Sequence, residues 1–309
     1  MTTPSILYKY KAFSPESMEL ILADYLYFAD PAQFNDPLDC KVSVVDDIGD
    51  EVELKSILYG LYRQKAEKQL IEAASKLHYQ GPKTIEKITF LSDTQAGQQV
   101  MGLYHDFNCF NEGESSITQA LTYAIGSVVL SGYNRGILSL AENSDCPLMW
   151  SHYADNHKGL CLGYEIPNDV KDDIKSINYT SDSREISTSQ IRSMLYDDSY
   201  DKNAVEEAIF LRKASPWSYE KEWRMISTVG LQNSRLNLSE ITFGLRCKST
   251  TIFSVMKSLQ KRDLPVKFYQ IKEIPKKFTL AREELTFDDE EIIFLPRCLE
   301  YTKQLMLKS

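Results

Sequence analysis

Ala214–Val229 reads ASPWSYEKEWRMISTV: a proline-bearing loop, ASPWSYE, followed by EWRMISTV, the clearest strand in the second half of the chain. If EKEWR is extended, Glu220, Glu222 and Arg224 project from one face, while Lys221, Trp223 and Met225 take the other. Two carboxylates at that spacing stand about 6–7 Å apart, far enough for one to bind and polarise a hydroxyl while the other takes a proton. The same E-x-E-x-R pattern also suits a charge-decorated edge strand with no chemistry attached.

Short strands and helices surround this segment without strict alternation. ILYKY reads as a first strand, Ser14 as an N-cap with Pro15 at the first helical position, and LYFAD as a second strand ending in the turn-rich AQFNDPLDC. From Glu51 to Val129 the apolar spacing is helical, as in Leu54, Ile57, Leu58 and Leu61. Strand character returns at RGILSL. A helix at LMWSHYADNH, with Pro147 in its first turn and Gly159 as its breaker, leads to the strand LCLGYEI. SINYT, ITFGL, VKFYQI, KKFTLA and EIIFL are further strands; two helices between Ser187 and Arg212 and one from Thr250 to Lys261 complete the pattern. This is an α+β chain, with a core at 1–50 and 130–309 and a helical insertion at 51–129.

The 309 residues carry 43% apolar and 26% charged side chains, with ordinary globular composition. No apolar run approaches the roughly 18 residues of a membrane helix, and MTTPSILYKYKAF lacks the features of a secretory signal, so no membrane partner and a cytoplasmic location are expected. Cys40, Cys109, Cys146, Cys161, Cys247 and Cys298 include no C-x-x-C pair and read as free thiols. His152 and His157 are five apart, a poor spacing for a metal site, and none is expected. Net charge is −9, yet Arg246–Glu283 holds ten basic residues against three acidic ones. That segment fits either a polyanion-binding lobe or solvated faces. Glycine-rich P-loop and G-x-G-x-x-G patterns, the G-x-S-x-G elbow and H-E-x-x-H are all missing.

Two further clusters hold polar and aromatic side chains together. Phe34-Asn35-Asp36-Pro37-Leu38-Asp39 is a natural turn that aromatic Tyr27, Phe28 and Phe34 could turn into one wall of a flat-ring pocket. Met149-Trp150-Ser151-His152-Tyr153-Ala154 mixes core-facing aromatics with a histidine.

LYKY, FNDPLDC, GILSL with LMWSHYADNHKGLCLGYE, and K-x-x-x-W-x-Y-E-x-E-W-R together resemble a bacterial family catalogued as a domain of unknown function, number twenty-nine seventy-one. The same order of parts is similar to the ADP-ribosyltransferase fold, a split β-sheet that binds NAD without a Rossmann domain. That second resemblance implies NAD as substrate, no metal, and a toxin, toxin–antitoxin or antiviral-defence effector. It would act on a macromolecular acceptor, nucleic acid (RNA or DNA) or protein, with an antitoxin or chaperone as a further candidate partner. It assigns Tyr8, Lys9 or Tyr10 to the first strand's station, the segment of His152 and Tyr153 to the second, and Glu222 to the third. The first strand has no Arg or His, and no S-T-S triplet stands on a middle strand.

In that scheme Glu222 hydrogen-bonds the ribose 2′-hydroxyl as positive charge develops on the sugar, a contribution of about 3–4 kcal/mol. Glu220 orients or deprotonates the acceptor, and Arg224 steadies the pair or meets a phosphate. Tyr8 and Tyr153 stack on a ring, Asn35 and Asp36 belong to a ring-clamping loop, and His152 is in reserve for pyrophosphate or acceptor. Trp217 and Tyr219 form the substrate loop. Two other readings use the same residues: a hydrolase or nuclease holding a divalent ion on Asp36, Asp39, His152 and Glu222, and a nucleotide-sensing module without turnover.

Overall fold

The computed structural model describes residues 3–78, 81–110, 116–133, 135–179, 183–201 and 203–286. In chain order the elements are β1 (Ile6–Lys11), α1 (Pro15–Leu22), β2 (Tyr25–Phe28), β3 (Ser43–Val45), α2 (Glu51–Lys76), α3 (Thr84–Phe110), α4 (Ile117–Gly132), β4 (Gly136–Ala141), α5 (Pro147–Tyr153) and β5 (Leu160–Glu165). There follow β6 (Ile174–Ser176), β7 (Glu185–Ser187), α6 (Thr188–Tyr196), α7 (Ala204–Phe210), β8 (Glu222–Ser227), β9 (Gly230–Asn233), β10 (Asn237–Phe243), α8 (Ser249–Leu259), β11 (Lys267–Glu273) and β12 (Leu280–Leu285). The chain is α+β, as its pattern requires. Its residues fall into two compact units: 1–34, 135–180 and 214–309 in the first, 35–134 and 181–213 in the second. The second unit therefore takes in the turn after Phe34 and the α6–α7 segment as well as the 51–129 helices.

The first unit is built on an eight-stranded sheet ordered β12-β11-β10-β5-β1-β4-β8-β6, antiparallel except for the β10–β11 pair. Alternation gives the sheet two different faces. Leu7, Leu138, Leu140, Leu162, Trp223 and Ile241 point to one, where α1, α8 and β2 cover them with Ile21, Leu26, Phe28, Val255 and Leu259. The other face carries Tyr10, Ala141, Cys161 and Ile271 under Met149, Trp150 and Ala154 of the α5 segment. Ser14 caps α1 in a capping box with Ser17, and Pro15 occupies the first turn.

The second unit packs α2, α3 and α4 with α6 and α7, and a parallel ladder of three residues joins β3 to β7. Leu54, Ile57, Leu58 and Leu61, the spacing read as helical, are all buried. Tyr196 lies against Gly60, where an added Cβ would meet its hydroxyl, and its Oη donates to the Ser56 carbonyl at 2.8 Å.

Several expected boundaries shift for local reasons. α5 stops at Tyr153 because Asp155, Asn156 and His157 all adopt left-handed φ. Gly159 does not break that helix. Its role is close approach, since a Cβ there would lie 2.2 Å from the Lys11 carbonyl. β6 ends where SINYT begins, and β12 starts at the end of KKFTLA, after a turn containing left-handed Lys276. The expected EIIFL strand, residues 291–295, and Cys298 lie outside the described residues. The other five cysteines are free thiols. Among the described residues no helix is long and apolar enough to cross a membrane.

Candidate functional site

The E-x-E pattern does not lie on one strand. Ser215–Glu220 is a 3-10 turn, and Lys221 takes a left-handed conformation with φ 44°, so β8 begins only at Glu222. Pro216 in the first turn favours this winding over extension. The shared-face spacing of Glu220 and Glu222 is thereby corrected: the left-handed Lys221 falls between them, and only Glu222 lies on the strand.

Glu222 forms a two-pronged ion pair with Arg224. Nε donates to Oε1 at 2.7 Å and Nη2 to Oε2 at 3.1 Å, with both side chains buried. The two are neighbours on one strand face, and the planar guanidinium fits the carboxylate edge-on. The Glu222 backbone N–H donates to Tyr179 Oη at 2.9 Å. Phe34, first residue of the FNDPLD turn, lies over the Arg224 guanidinium at 5.6 Å. Glu220, also buried, accepts a 2.7 Å hydrogen bond from Tyr153 Oη.

An aromatic rim adjoins Glu220 through Tyr153. His152, Trp217 and Tyr219 surround one another with ring centroids 6.1–6.5 Å apart, and the Tyr153 ring lies 6.2 Å from His152. α5 brings His152 and Tyr153, and the 3-10 turn brings Trp217, Tyr219 and Glu220. The helix is fixed on the sheet by Trp150, which meets Tyr10 edge-on at 5.2 Å and donates its indole N–H to the Ser144 carbonyl at 2.9 Å.

The first-strand candidates divide by face. Tyr10 is a core residue whose hydroxyl donates to the Asn143 carbonyl at 2.7 Å, and burial pushes its pKa far up. Lys9 reaches across to the Ser139 carbonyl at 2.8 Å. Tyr8 occupies the same lateral row as Glu222: the registered partners run Glu222–Ala141–Tyr8–Gly163–Glu240 across five strands. At strand spacing, Tyr8 is about 10 Å and Glu240 about 19 Å from Glu222, Cα to Cα.

Buried Glu240 and half-buried Arg282 form a second carboxylate–guanidinium pair at the far end of that row, and sequence reading did not single them out. Arg282 stacks 4.2 Å from the Tyr269 ring and 5.7 Å from Tyr8. Gly163 makes the closure fit, since a Cβ there would meet Glu240 Cγ at 2.4 Å. Burial, then the Glu240 carboxylate, push the Tyr8 hydroxyl up to about 12.

Asn35 and Asp36 open the second unit, where Asp36 Oδ1 accepts from the Leu38 N–H at 2.9 Å and stabilises the turn. Asp39 pairs with Lys213 at 3.6 Å, both buried. Glu222 is thus engaged by Arg224 and Asp39 by Lys213. Among the described residues, no three His, Cys, Asp or Glu side chains converge as metal ligands. His157 stacks on Trp150 with centroids 6.3 Å apart, and burial, then Arg246, lower its pKa.

Residues 149–225 match a family described as protein of unknown function (DUF2971), and the first resemblance read from the sequence holds over that segment. The match contains residues 149–153 of α5, the aromatic turn, Glu220, Glu222 and Arg224. No curated protein and no solved structure matches the chain.

Proposed function

We propose that this chain is an NAD-dependent ADP-ribosyltransferase, an effector that modifies a macromolecular acceptor. The observation that carries the reading is the aromatic rim of His152, Trp217 and Tyr219 at the turn that carries buried Glu220, itself bonded to Tyr153 and two residues from the buried Glu222–Arg224 pair. The opening of the sheet agrees with a split-sheet architecture: among the described residues β1 meets β4 at a single registered pair, Tyr8–Ala141. A flat nicotinamide or adenine suits the rim. Glu222, paired with Arg224, is the group to hold the ribose 2′-hydroxyl as cationic character grows at the anomeric carbon. Glu220 and Tyr153 act together on the acceptor, the carboxylate taking its proton and the phenol fixing the carboxylate.

Purified protein is expected to release nicotinamide from NAD when RNA, DNA or cell lysate supplies an acceptor. Glu222→Gln abolishes release while NAD binding and circular dichroism persist. Wild-type protein yielding neither nicotinamide nor ADP-ribosylated product overturns the proposal.

The burial of Glu222 under the Arg224 fork favours a second reading, a nucleotide-sensing module that binds without turnover. Calorimetric binding of NAD with no nicotinamide release selects it.

A further inference from the structure

One end of the large sheet collects cations from four chain segments. Lys11 on β1 and Phe243 on β10 both pair with Leu160, and Phe243 also pairs with Gln270 of the parallel strand β11. The loops leaving β10 and β11 and the loop entering β5 therefore emerge side by side. Backbone hydrogen bonds join two of them: Gly244 N–H donates to the Gly159 carbonyl at 3.0 Å and Arg246 N–H to the His157 carbonyl at 2.9 Å. Gly244 permits this, because a Cβ there would lie 2.1 Å from the His157 oxygen.

The result is an exposed cluster of Lys158, Arg246, Lys248, Lys276 and Lys277. Among the described residues none of these five pairs with a carboxylate. Half-buried Lys11 adds a sixth cation, against Glu16, Asp155 and Glu273 at the same end. The concentration of positive charge is local, since the whole chain is −9. At the tip of the β11–β12 turn, directly after Lys276 and Lys277, the Phe278 side chain is fully exposed. Phe13, just past β1, is also exposed. An aromatic ring held in water beside two lysines lacks any packing role in the fold. It matches the recurring device of single-stranded nucleic-acid binding, in which cations track the backbone and exposed rings stack on bases.

We propose that this sheet end binds single-stranded nucleic acid, with Phe278 as a stacking platform and Lys276, Lys277, Lys248 and Arg246 on phosphates. The proposal goes beyond the reading of Glu222 and needs no NAD turnover.

Fluorescence anisotropy of a labelled oligouridylate and an oligothymidylate with the full chain tests it, in the absence of NAD. Wild-type protein binds, and affinity falls as salt rises from about 50 to 200 mM. Phe278→Ala weakens binding at least about fivefold with little change in salt slope, as expected for lost stacking. Lys276→Asn/Lys277→Gln, which keeps the left-handed backbone at position 276 accessible, lowers the log–log salt slope by about 1.4, the value for two released phosphate contacts. Absence of binding at the lowest salt overturns the proposal, as do variants that bind like wild type with unchanged circular dichroism. Binding to phosphatidylserine vesicles that depends on Phe278, without oligonucleotide binding, also overturns it and assigns the tip to a lipid surface.

Discussion

Arg224 has no exposed side-chain surface, and its guanidinium grips both oxygens of Glu222. At this depth the two charges compensate one another, and removing one partner of a buried pair costs about 3–5 kcal/mol. Arg224→Met is therefore expected to lower unfolding free energy by about that amount in urea titration. Glu222→Leu combined with Arg224→Met removes both charges and recovers a large part of the loss, with a coupling of about 2–3 kcal/mol. Additive losses from the two single variants would show that the fork contributes nothing as a pair. The same residues show how far spacing can be trusted. Glu222 and Arg224 were legible as strand-face neighbours, and they are. Glu220 was not, because the left-handed φ of Lys221 turns the chain between two identical side chains. Tyr153 and Glu220 were both singled out in the sequence, but their hydrogen bond spans 67 positions and no local pattern announces it. Glu240 and Arg282 escaped altogether, since their meeting depends on the missing side chain of Gly163 on a third strand.

At the scale of elements, α6 shows how a short helix is held. Ser187 caps it in a capping box with Gln190, and Asp47 from the β3 side accepts from Ser189 N–H at 2.9 Å and Thr188 Oγ1 at 3.0 Å. Burial alone would raise the Asp47 carboxyl; hydrogen bonds from Ser189, Thr188 and Ser187 outweigh it and hold the group at about 2, below the ordinary 3.8. A carboxyl depressed in the folded state stabilises the fold fully above its unfolded value and loses that contribution as pH falls through the folded one. Asp47→Ala should cost about 1 kcal/mol at pH 6, as for a lost helix cap, and the gap to wild type should narrow toward pH 2. A gap that stays constant between those pH values would show that the carboxylate charge is irrelevant to α6. The strong helices of 51–129 were readable because apolar residues recur every three or four positions over several turns. The β3–β7 ladder was not, for three residues on each side carry no periodicity, and their pairing joins positions about 140 apart.

The whole first unit is woven from three separated stretches of chain, and the weave lies at the centre of the sheet. β1 comes from the first stretch, β5 and β4 on either side of it from the second, and β10 beyond β5 from the third. No stretch can complete the central ladder alone, so loop closures between remote segments must precede most of the stabilising pairs, which favours slow and highly cooperative assembly. β5 pairs along its length with β1 on one side and β10 on the other, and its first five residues are buried. β12 pairs only with β11 among the described residues and contains no buried side chain. Amides of central strands should then exchange only through global unfolding, whereas those of β12 open locally. Native-state hydrogen exchange monitored by mass spectrometry should find β1, β5 and β10 sharing one opening free energy that tracks urea stability. β12 should exchange at least about a hundredfold faster, a difference of roughly 2.7 kcal/mol. Should β5 and β12 exchange at the same rate, interleaving of the three stretches would not be what holds the sheet together.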